Sequence, residues 1–523
     1  MHRRDFLKAA GLATASQTIP ARLFAGKPAR KRPNILVVHV DQHRIDCIGA
    51  YGNPDIKTPH IDALAGDGVR YENSFCPFPV CAPSRYSLFS GQYVHEHRGW
   101  VNGSTLAPHI ETFPKILRAA GYRTKAVGKM HFTPTYLDVG FDQLELAEQN
   151  GPGRWDDDYH RYLMGQNLVD RNDLEDQLVR EYRKNAPQEY WDTFGALVSN
   201  LPEKHHSTTW IAERALQTLR SWDGNGAQLL MAGFIKPHHP FDPPAPWQNT
   251  YDPEKLSILP GWSEKCFDHD LKYSRGYFPN DTLTEPALRR VMGYYYATIS
   301  QIDHHLGRMI ALLKEKKLYD DTLIVYTADH GEFMGHHHML LKGNYMYDPL
   351  VKVPLIIKWP GSRRAGALSK RLVNNIDLAP TLSLAAGCKP ADQMHGQTLQ
   401  REQESRRLVF AEASGGRQVM ARSRTAKLIL AAPRNKNLFF DLRKDPLEMN
   451  NLYGSPQYRD EIRKMETALS AWRSKGSKAQ VYRNMDAPQI NRPNVPPRDL
   501  NHRKAIIEYY RKKMSALQKP PGT

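Results

Sequence analysis

Cys81 lies in a segment whose composition suits neither a core position nor a disulfide. Residues 78–92 read FPVCAPSRYSLFSGQ, so prolines stand on both sides of Cys81, and Arg85 follows four residues later. We predict a helix over Ser84–Ser90 with Cys81 in the loop before it, and a thiol at a helix N-terminus is reactive. The chain has five cysteines, an odd number, and none forms the Cys-x-x-Cys pair of zinc or redox sites. Cys81 is therefore the first candidate for chemistry.

Polar residues follow four apolar runs at the point where each run ends. The runs, which we interpret as buried strands, are Ile35–Val40, Thr124–Val127, Leu229–Ile235 and Thr322–Thr327. The polar pairs that follow them are Asp41 and Gln42, Lys129 and His131, Lys236 and His238, and Asp329 and His330. Since ligands of open α/β sheets collect at the carboxyl ends of the strands, we expect these side chains to share one site.

Asp41, Asp329 and the amide oxygen of Gln42 are hard oxygen ligands, and His330 adds a nitrogen. Such a set could hold calcium, magnesium or manganese. An aspartate that follows a strand often caps a helix instead, and for either aspartate alone this is the favoured interpretation. Two aspartates at two strand ends of one sheet favour a divalent metal site.

The order of the elements indicates the fold class. Val353–Trp359 reads as a fifth buried strand, and helical patterns at Ile110–Ala120 and Arg289–Lys317 lie between the strands. Near-continuous apolar strands suit a parallel sheet covered on both faces, and alternating helices and strands indicate an α/β fold. We predict a doubly wound, mostly parallel sheet in a catalytic domain over residues 33–395.

The chain changes character after about residue 395. Three segments alternate like antiparallel strands and precede a predicted helix, Arg459–Ser474, so residues 396–475 are predicted to form a small α+β subdomain. Residues 476–523 form a basic extension. In it, Ala487–Leu500 is rich in Pro and Asn, as an extended wrap or linker is, and Arg503–Gln518 reads as a basic helix.

Residues 1–25 are similar to a twin-arginine export signal. Arg3 and Arg4 precede a short, weakly apolar run, and Ala25 is the expected last residue of the signal. The run is too short and too polar to span a bilayer. We therefore expect an exported, periplasmic protein without a stable membrane anchor. A cytosolic protein with a basic first helix is the alternative.

The formal net charge of +17 limits the classes of partner. Cleavage after Ala25 would remove only four of the basic residues, Arg3, Arg4, Lys8 and Arg22, so most of this charge stays with the mature chain. Nucleic-acid binders carry dense Lys/Arg helices or basic segments interleaved with aromatic residues, and the sequence has neither. We therefore exclude nucleic acid and expect an anionic substrate.

Five short blocks together resemble the type I sulfatases of the alkaline-phosphatase superfamily. Cys81-Ala82-Pro83-Ser84-Arg85 matches the Cys-x-Pro-x-Arg motif of that family, in which a maturation enzyme oxidises the cysteine to Cα-formylglycine. The other blocks are Asp41-Gln42, Gly128-Lys129-Met130-His131, Lys236-Pro237-His238, and Asp329-His330-Gly331-Glu332 with Lys342 downstream. The resemblance runs from about residue 33 to residue 455.

The resemblance implies an alkaline-phosphatase-like fold and a mechanism. In the family, one hydroxyl of the hydrated formylglycine attacks the sulfur of a sulfate ester, and the other then expels sulfate. The positions matched to the metal are Asp41, Gln42, Cys81, Asp329 and His330. The match also suggests that Lys129 and Lys342 bind sulfate, that Arg85 and His131 hold the hydrate, and that His238 protonates the leaving oxygen.

Gln42 and His330 depart from the ligands that many relatives use, which are three aspartates and an asparagine around calcium. They leave fewer negative charges and add one nitrogen. We therefore expect one divalent cation, with calcium first and manganese or another ion as the alternative. The same residues resemble phosphonate monoester hydrolases and phosphodiesterases of the superfamily, which is the alternative function. Lys129 and His131 favour a sulfate ester, because those relatives tend to lack this pair.

A sulfated carbohydrate is the expected substrate, and a small aryl sulfate is the alternative. The basic chain favours a polyanion, since its field steers anions to the surface. Three tryptophans are candidates for stacking on sugar rings or for ordinary packing: Trp100, Trp155 and Trp247. The remaining noted histidines are interpreted as surface or core residues, with His239 less clear because it adjoins His238: His205, His206 and His336–His338.

Overall fold

The computed structural model describes residues 32–149, 155, 157–172, 188–224, 227–271, 278, 280–400, 406–432, 436–474, 482–483 and 500–517. The predicted export signal at residues 1–25 and most of the predicted wrap, residues 487–499, lie outside them. The strands are β1 (Asn34–Val40), β2 (Val69–Phe75), β3 (Ser104–Thr105), β4 (Arg123–Gly128), β5 (Gln143–Leu146), β6 (Gln228–Phe234), β7 (Thr322–Ala328), β8 (Leu355–Lys358), β9 (Ala367–Asn374), β10 (Val409–Ala413), β11 (Gln418–Arg422), β12 (Ala426–Ala431), β13 (Leu438–Asp441) and β14 (Tyr482–Arg483).

The main sheet has eight strands in the order β5-β4-β6-β1-β7-β8-β2-β9. The pairs β5/β4, β4/β6, β6/β1, β1/β7 and β2/β9 are parallel, whereas β8 runs antiparallel to both β7 and β2. Val353–Trp359, predicted as a buried strand of a mostly parallel sheet, contains the buried strand β8, which is antiparallel to both of its neighbours. A parallel neighbour needs a crossover to the opposite edge of the sheet. The segment after β7 instead stays at the carboxyl edge and enters β8 from there.

Helices cover the sheet and carry the connections between its strands. They are α1 (Pro59–Asp67), α2 (Cys81–Ser90), α3 (Val94–His97), α4 (Phe113–Ala119), α5 (Asp158–Gly165), α6 (Gln188–Asp192), α7 (Ser207–Arg220), α8 (Asp268–Leu271), α9 (Glu285–Glu315), α10 (Asp348–Val351), α11 (Leu378–Ala385), α12 (Arg459–Arg473) and α13 (Leu500–Leu517). The predicted helices at residues 110–120, 289–317, 459–474 and 503–518 correspond to α4, α9, α12 and α13, with shifted ends.

Alternate residues of β1 enter two separate cores, because successive side chains of a strand point to opposite faces. Ile35 and Val37 pack in a core that includes residues of α2, α4 and α11. Leu36, Val38 and Val40 pack in a second core with residues of α7 and α9. All seven residues of β1 are buried. The sheet is thus covered by helices on both faces, as the apolar runs predict for a doubly wound fold.

The long helix α9 fixes the loop that follows β1. The side chain of Thr284 caps its first turn by accepting from the backbone N–H of Ala287. From its buried face, the Tyr295 hydroxyl donates to the Gln42 carbonyl (2.7 Å) and accepts from the Arg44 N–H (3.0 Å). These two bonds hold the backbone of the first polar pair against the helix.

The C-terminal subdomain is an antiparallel sheet, β10-β11-β12-β13, packed against α12. Ile462, Leu469 and Trp472 of α12 share a core with Val419 and Leu428 of the sheet. This is the small α+β unit that the alternation of residues predicts. In the part of the chain that the structure describes, no helix is long and apolar enough to cross a membrane. All five cysteines are described, and they form no disulfide with one another.

Candidate active site

Cys81 is the first residue of α2, so the helix begins three residues earlier than predicted. Its Sγ lies 3.2 Å from His330 Nε2 and 3.1 Å from Lys342 Nζ, and the thiol donates to Asp41 Oδ1 at 3.6 Å. Burial, reinforced by Asp41, raises the pKa of the Cys81 thiol to about 11. The unmodified thiol is therefore protonated at neutral pH and is a poor nucleophile.

Four side chains around Cys81 form a buried cluster of metal-ligating types. Asp41, Cys81, Asp329 and His330 place ligand atoms within 4.8 Å of one another. Asp41 follows β1 and Asp329 follows β7, and these neighbouring parallel strands end in register at Val40 and Ala328. The sheet thus brings together two strand ends that are nearly 290 residues apart in the chain, as the spacing of the polar pairs predicts.

His330 and Gln42 offer bare donor atoms beside the two carboxylates. The His330 Nδ1–H donates to the Gly331 carbonyl (2.9 Å), which leaves Nε2 unprotonated, 3.6 Å from Asp41 Oδ1. Gln42 Nε2 donates to Glu332 Oε2 (2.5 Å), whereas the buried Gln42 Oε1 accepts no hydrogen bond from the described residues. An unpartnered carbonyl oxygen and a bare imidazole nitrogen next to two carboxylates fit a divalent cation.

Arg85 is enclosed by the carboxylates of this cluster. Its Nη2 lies 3.1 Å from Asp41 Oδ2, its Nε lies 2.9 Å from Asp329 Oδ2, and its Nη1 donates to the Lys129 carbonyl at 2.7 Å. The neighbouring residue of α2 also contacts Asp329, since Ser84 Oγ donates to the Asp329 carbonyl (2.7 Å). These contacts show that Arg85 positions both carboxylates, and since a guanidinium has five N–H donors, its predicted contact with the hydrate stays a prediction.

Two lysines bring positive charge to the same cluster. Lys129 Nζ lies 2.6 Å from Asp41 Oδ2, and Lys342 Nζ lies 4.0 Å from Asp41 Oδ1 with its side chain 18% exposed. With Arg85, three cations stand around the two carboxylates Asp41 and Asp329. Among these five side chains the positive charges outnumber the negative charges by one, which suits an anionic ligand.

The cations keep both carboxylates ionised despite their burial. Burial would raise the pKa of Asp41, but the charges led by Lys129 hold that pKa well below its usual range. Burial and the neighbouring Asp41 would likewise raise the pKa of Asp329, and His330 and Arg85 hold it below its usual value. Both side chains are acceptor-only groups at neutral pH, which is the form that ligates a metal.

His131 and His238 are neutral in this arrangement. Burial, followed by the charge of Lys129, lowers the pKa of His131 well below its usual value. Burial, followed by the charge of Lys342, has the same effect on the pKa of His238. The His238 Nδ1–H donates to the His239 carbonyl (2.6 Å), so Nε2 is the nitrogen that can take and give a further proton. A negative charge placed between the lysines would raise both pKa values.

Glu332 and Glu148 support the site, although the sequence analysis assigned them no role. Glu332 holds the amide of Gln42 as described above, and it was visible in the block that follows β7. Glu148 Oε1 accepts from the backbone N–H groups of Met130 (3.0 Å) and His131 (2.9 Å), where His131 has φ +58°. Burial raises the pKa of Glu148 to about 7. It lies just after β5, a four-residue strand with one buried residue, so its apolar signal was too weak to find.

Gln149 joins two of the predicted pairs. Its Oε1 accepts from Lys129 Nζ (3.2 Å), and its Nε2 donates to the His239 carbonyl (2.8 Å). The same carbonyl also accepts from His238 Nδ1. Lys236 has other partners. Its Nζ stands 2.5 Å from Asp242 Oδ1 and donates to the Pro240 carbonyl (3.0 Å). The third strand end thus contributes His238 and not Lys236.

The other noted aromatic residues lie in packed positions. His239 is buried against Tyr190, Phe241 and Phe278. Trp155 packs against Tyr510, and Trp247 Nε1 donates to Glu203 Oε1 (2.9 Å), which supports ordinary packing for both tryptophans. His206 and His336–His338 are buried, while Trp100 and His205 are half-buried.

The doubly wound sheet and the polar cluster at its carboxyl edge define a hydrolase of the alkaline-phosphatase-like fold. The sulfatase family model matches residues 33–388, more than half of the chain. The model described as N-sulphoglucosamine sulphohydrolase, C-terminal, matches residues 335–475. The chain therefore belongs to the sulfatase family and is a sulfuric ester hydrolase.

The relatives named here cover more than four fifths of this chain. An arylsulfatase of Clostridium perfringens is 28% identical over 82% of this chain and 92% of its own. An N-acetylglucosamine-6-O-sulfatase of Bacteroides thetaiotaomicron is 26% identical over 85% of this chain and 86% of its own. Among solved structures, the phosphonate monoester hydrolase of Agrobacterium radiobacter superposes with a TM-score of 0.70 at 23% identity, over 85% of this chain and 96% of its own.

Proposed function

We propose that Cys81 is oxidised to Cα-formylglycine and that the matured enzyme hydrolyses a sulfate ester of a sulfated carbohydrate. The observation that carries the proposal is the position of Cys81 at the start of α2, with its Sγ 3.1 Å from Lys342 Nζ and 3.2 Å from His330 Nε2. The hydrated aldehyde would supply the nucleophile there, which the protonated thiol does not.

The metal ligands would be Asp41, Asp329, Gln42 Oε1, His330 Nε2 and the matured residue at position 81. A divalent cation bound to them polarises oxygen ligands and makes a hydroxyl a stronger nucleophile. Arg85 keeps the two carboxylates in place for it, and Glu332 fixes the amide of Gln42 with its oxygen unpaired. Calcium is the first expectation, and manganese is the alternative because of the nitrogen of His330.

The lysines and histidines would act on the sulfate group. Lys129 and Lys342 would neutralise its non-bridging oxygens, since both ammonium groups lie within 4.0 Å of Asp41. The ester's negative charge would raise the pKa of His238, so that Nε2 gains the proton it then donates to the leaving alcohol. Gln149 would hold Lys129 Nζ and the His239 carbonyl in fixed positions during this step, because it makes a hydrogen bond to each of them.

A sulfated carbohydrate is the proposed substrate class for two reasons. The relative named N-acetylglucosamine-6-O-sulfatase covers 85% of the chain. The net charge of +17 also attracts polyanions. We further propose that residues 1–25 direct export to the periplasm by the twin-arginine route, and that a formylglycine-generating enzyme matures Cys81 before export.

Hydrolysis of phosphonate monoesters or phosphodiesters is the second candidate function. It is favoured by Gln42 and His330 in the metal cluster, which depart from the all-oxygen ligand set, and by the likeness of fold to a phosphonate monoester hydrolase. The test compares the sulfate, phenylphosphonate and phosphate diester derivatives of one nitrophenol, followed by desulfation of a panel of sulfated sugars. Faster turnover of the sulfate supports the proposal. Faster turnover of the phosphonate or the diester would replace it with the second candidate.

A further inference from the structure

A second cluster of metal-ligating side chains lies outside the active site. His269, Asp270 and His337 place ligand atoms within 4.8 Å of one another. His269 and Asp270 belong to α8, and His337 belongs to the segment after β7 that also carries Lys342. Asp270 and His337 are 1% and 0% exposed at the side chain, and His269 is 22% exposed. The cluster thus joins two distant segments and reaches solvent through one imidazole.

The separations in this cluster suit a four-coordinate ion. His337 Nδ1 lies 2.9 Å from Asp270 Oδ2, and His269 Nε2 lies 3.7 Å from Asp270 Oδ1. Around a tetrahedral zinc ion, whose bonds to nitrogen and oxygen are roughly 2.0–2.1 Å, ligand atoms stand about 3.3 Å apart. The two observed separations, which end on the two oxygens of Asp270, lie on either side of that value, and one ligand atom from each of the three side chains lies within 4.8 Å of the others.

Buried nitrogens next to the cluster have no partner among the described residues. Among them is His337 Nε2, and the rings of His337 and His336 stack with centroids 4.1 Å apart. Buried polar atoms without a partner call for a water or an ion. Neutral imidazole is the form that binds metals.

Hydroxyl and aromatic groups hold the cluster in place. The Tyr347 hydroxyl donates to Asp270 Oδ1 (2.5 Å), and the Tyr345 hydroxyl donates to the Asp270 carbonyl (2.8 Å). The ring of Phe267 stacks on His269 with centroids 5.5 Å apart. Hydrogen-bonded carboxylates and oriented rings are the usual outer contacts of protein metal sites.

We propose that His269, Asp270 and His337 bind a second divalent ion of the zinc class. Two imidazoles and one carboxylate suit zinc or cobalt better than calcium. The ion would fasten α8 to the segment that delivers Lys342. This proposal rests on none of the residues assigned to the active-site metal.

The test measures binding of Co²⁺ and Zn²⁺ to the full-length, tag-free chain after treatment with a chelator. We expect the wild type to bind one more Co²⁺ per chain than His269→Ala, and to show a visible ligand-field band of four-coordinate Co²⁺ that the variant lacks. Zn²⁺ should raise the Tm of the wild type by a few degrees more than that of His269→Ala. His109→Ala, which removes an exposed histidine, is the control and should behave as the wild type.

His337→Gln separates metal binding from hydrogen bonding. Glutamine can still donate to Asp270 but offers no imidazole, so this variant should also lose the Co²⁺ band. Equal Co²⁺ stoichiometry and equal spectra in the wild type and both variants would overturn the proposal and leave a water as the partner of the buried nitrogens. The test compares the Co²⁺ bound per chain between the wild type and the variants. If the active site binds no metal, the Co²⁺ bound falls equally in all of these chains, and the difference between them remains.

Discussion

Among the residues that the structure describes, two clusters combine histidine with aspartate, and their surroundings differ. Around Asp41, Asp329 and His330 stand Arg85, Lys129 and Lys342, all in direct contact with the cluster. Around Asp270 and His337 stand Phe267, Tyr345 and Tyr347. The first cluster combines metal-ligating groups with an excess of positive charge, and the second combines such groups with aromatic packing.

This difference separates a chemical site from a structural one. A sulfate ester brings negative charge, which the lysines of the first cluster would neutralise under the proposed function as it develops on the leaving oxygen and the sulfate. The aromatic residues around the second cluster, Phe267, Tyr345 and Tyr347, carry no positive charge that could neutralise an anion. The ligand types alone would not have distinguished the two, because both contain aspartate and imidazole.

The largest effect should come from removing the reactive residue of the first cluster. Cys81→Ala should lower turnover on any sulfate ester to background, roughly 10⁵–10⁶-fold, the range seen when a covalent nucleophile is removed. Cys388→Ala removes a half-buried cysteine elsewhere and should leave turnover unchanged. Both are checked by steady-state kinetics on a nitrophenyl sulfate. Substantial activity in Cys81→Ala would break the distinction between the two clusters.

The next largest effect concerns His238 and depends on the leaving group. His238→Ala should lower turnover of a sugar sulfate by about 10²–10⁴-fold, the usual range for acid–base catalysis, and that of a nitrophenyl sulfate much less. A sugar alcohol has a high pKa and needs a proton as it leaves, whereas nitrophenolate does not. Equal losses on both substrates would show that His238 positions sulfate instead.

His239→Ala is the matched control for that comparison. It keeps the backbone carbonyl that accepts from His238 Nδ1 and removes only a ring packed among Tyr190, Phe241 and Phe278. We expect lower stability and mild, equal losses on both substrates. A severe loss confined to the sugar sulfate would assign the proton donor to His239.

A smaller effect should sharpen the contrast in ligand chemistry. His330→Asn replaces the imidazole nitrogen by an amide oxygen, so affinity for calcium relative to manganese should rise about tenfold, equivalent to about 1.4 kcal/mol. Isothermal titration of the chelator-treated chain with each ion measures this ratio. An unchanged ratio would mean that His330 Nε2 does not ligate the ion.

The smallest effect concerns pH and Glu148. Its pKa is about 7 in the folded chain against an ordinary value of 4.5, so the folded state holds a proton between these values. Stability should therefore fall as pH rises from about 4.5 to about 7, and stay level above. Glu148→Gln keeps an acceptor for the His131 N–H and should flatten this part of the profile. Thermal unfolding at pH 5, 6, 7 and 8 compares the two chains, and identical slopes would show that Glu148 does not titrate there.

Much of the fold was visible in the sequence because it rests on strong local signals. The apolar runs that became β1, β6 and β7 are buried along their whole length, the last three residues of β4 are buried, and polar residues after these strands mark the carboxyl edge. The direction of β8 was not visible, since a doubly buried strand has the same pattern in either direction. The strands β2, β5 and β9 were missed, because their mixed burial gives no continuous apolar run.

The site residues likewise fall into those that a local sequence signal predicted and those that it did not. Asp41, Lys129 and Asp329 follow their strands directly, and His238 lies four residues after the end of β6, so the positions of these residues predicted that they share one edge of the sheet. The residues that hold them in place, such as Glu148 and Gln149, depend on contacts between segments that sequence spacing does not reveal. The contacts of Arg85 with both carboxylates likewise appear only when α2 is placed against β1 and β7.

The most direct test of the central proposal links the chemical state of Cys81 to activity. Preparations made with increasing amounts of a formylglycine-generating enzyme should contain increasing fractions of converted Cys81. Peptide mass spectrometry would measure this conversion as a mass loss of roughly 18 Da from cysteine, the expected result of thiol oxidation to an aldehyde. Turnover of a sulfate ester should rise in proportion to that fraction and extrapolate to zero at zero conversion. Full activity in chains whose Cys81 is unmodified would contradict the proposal.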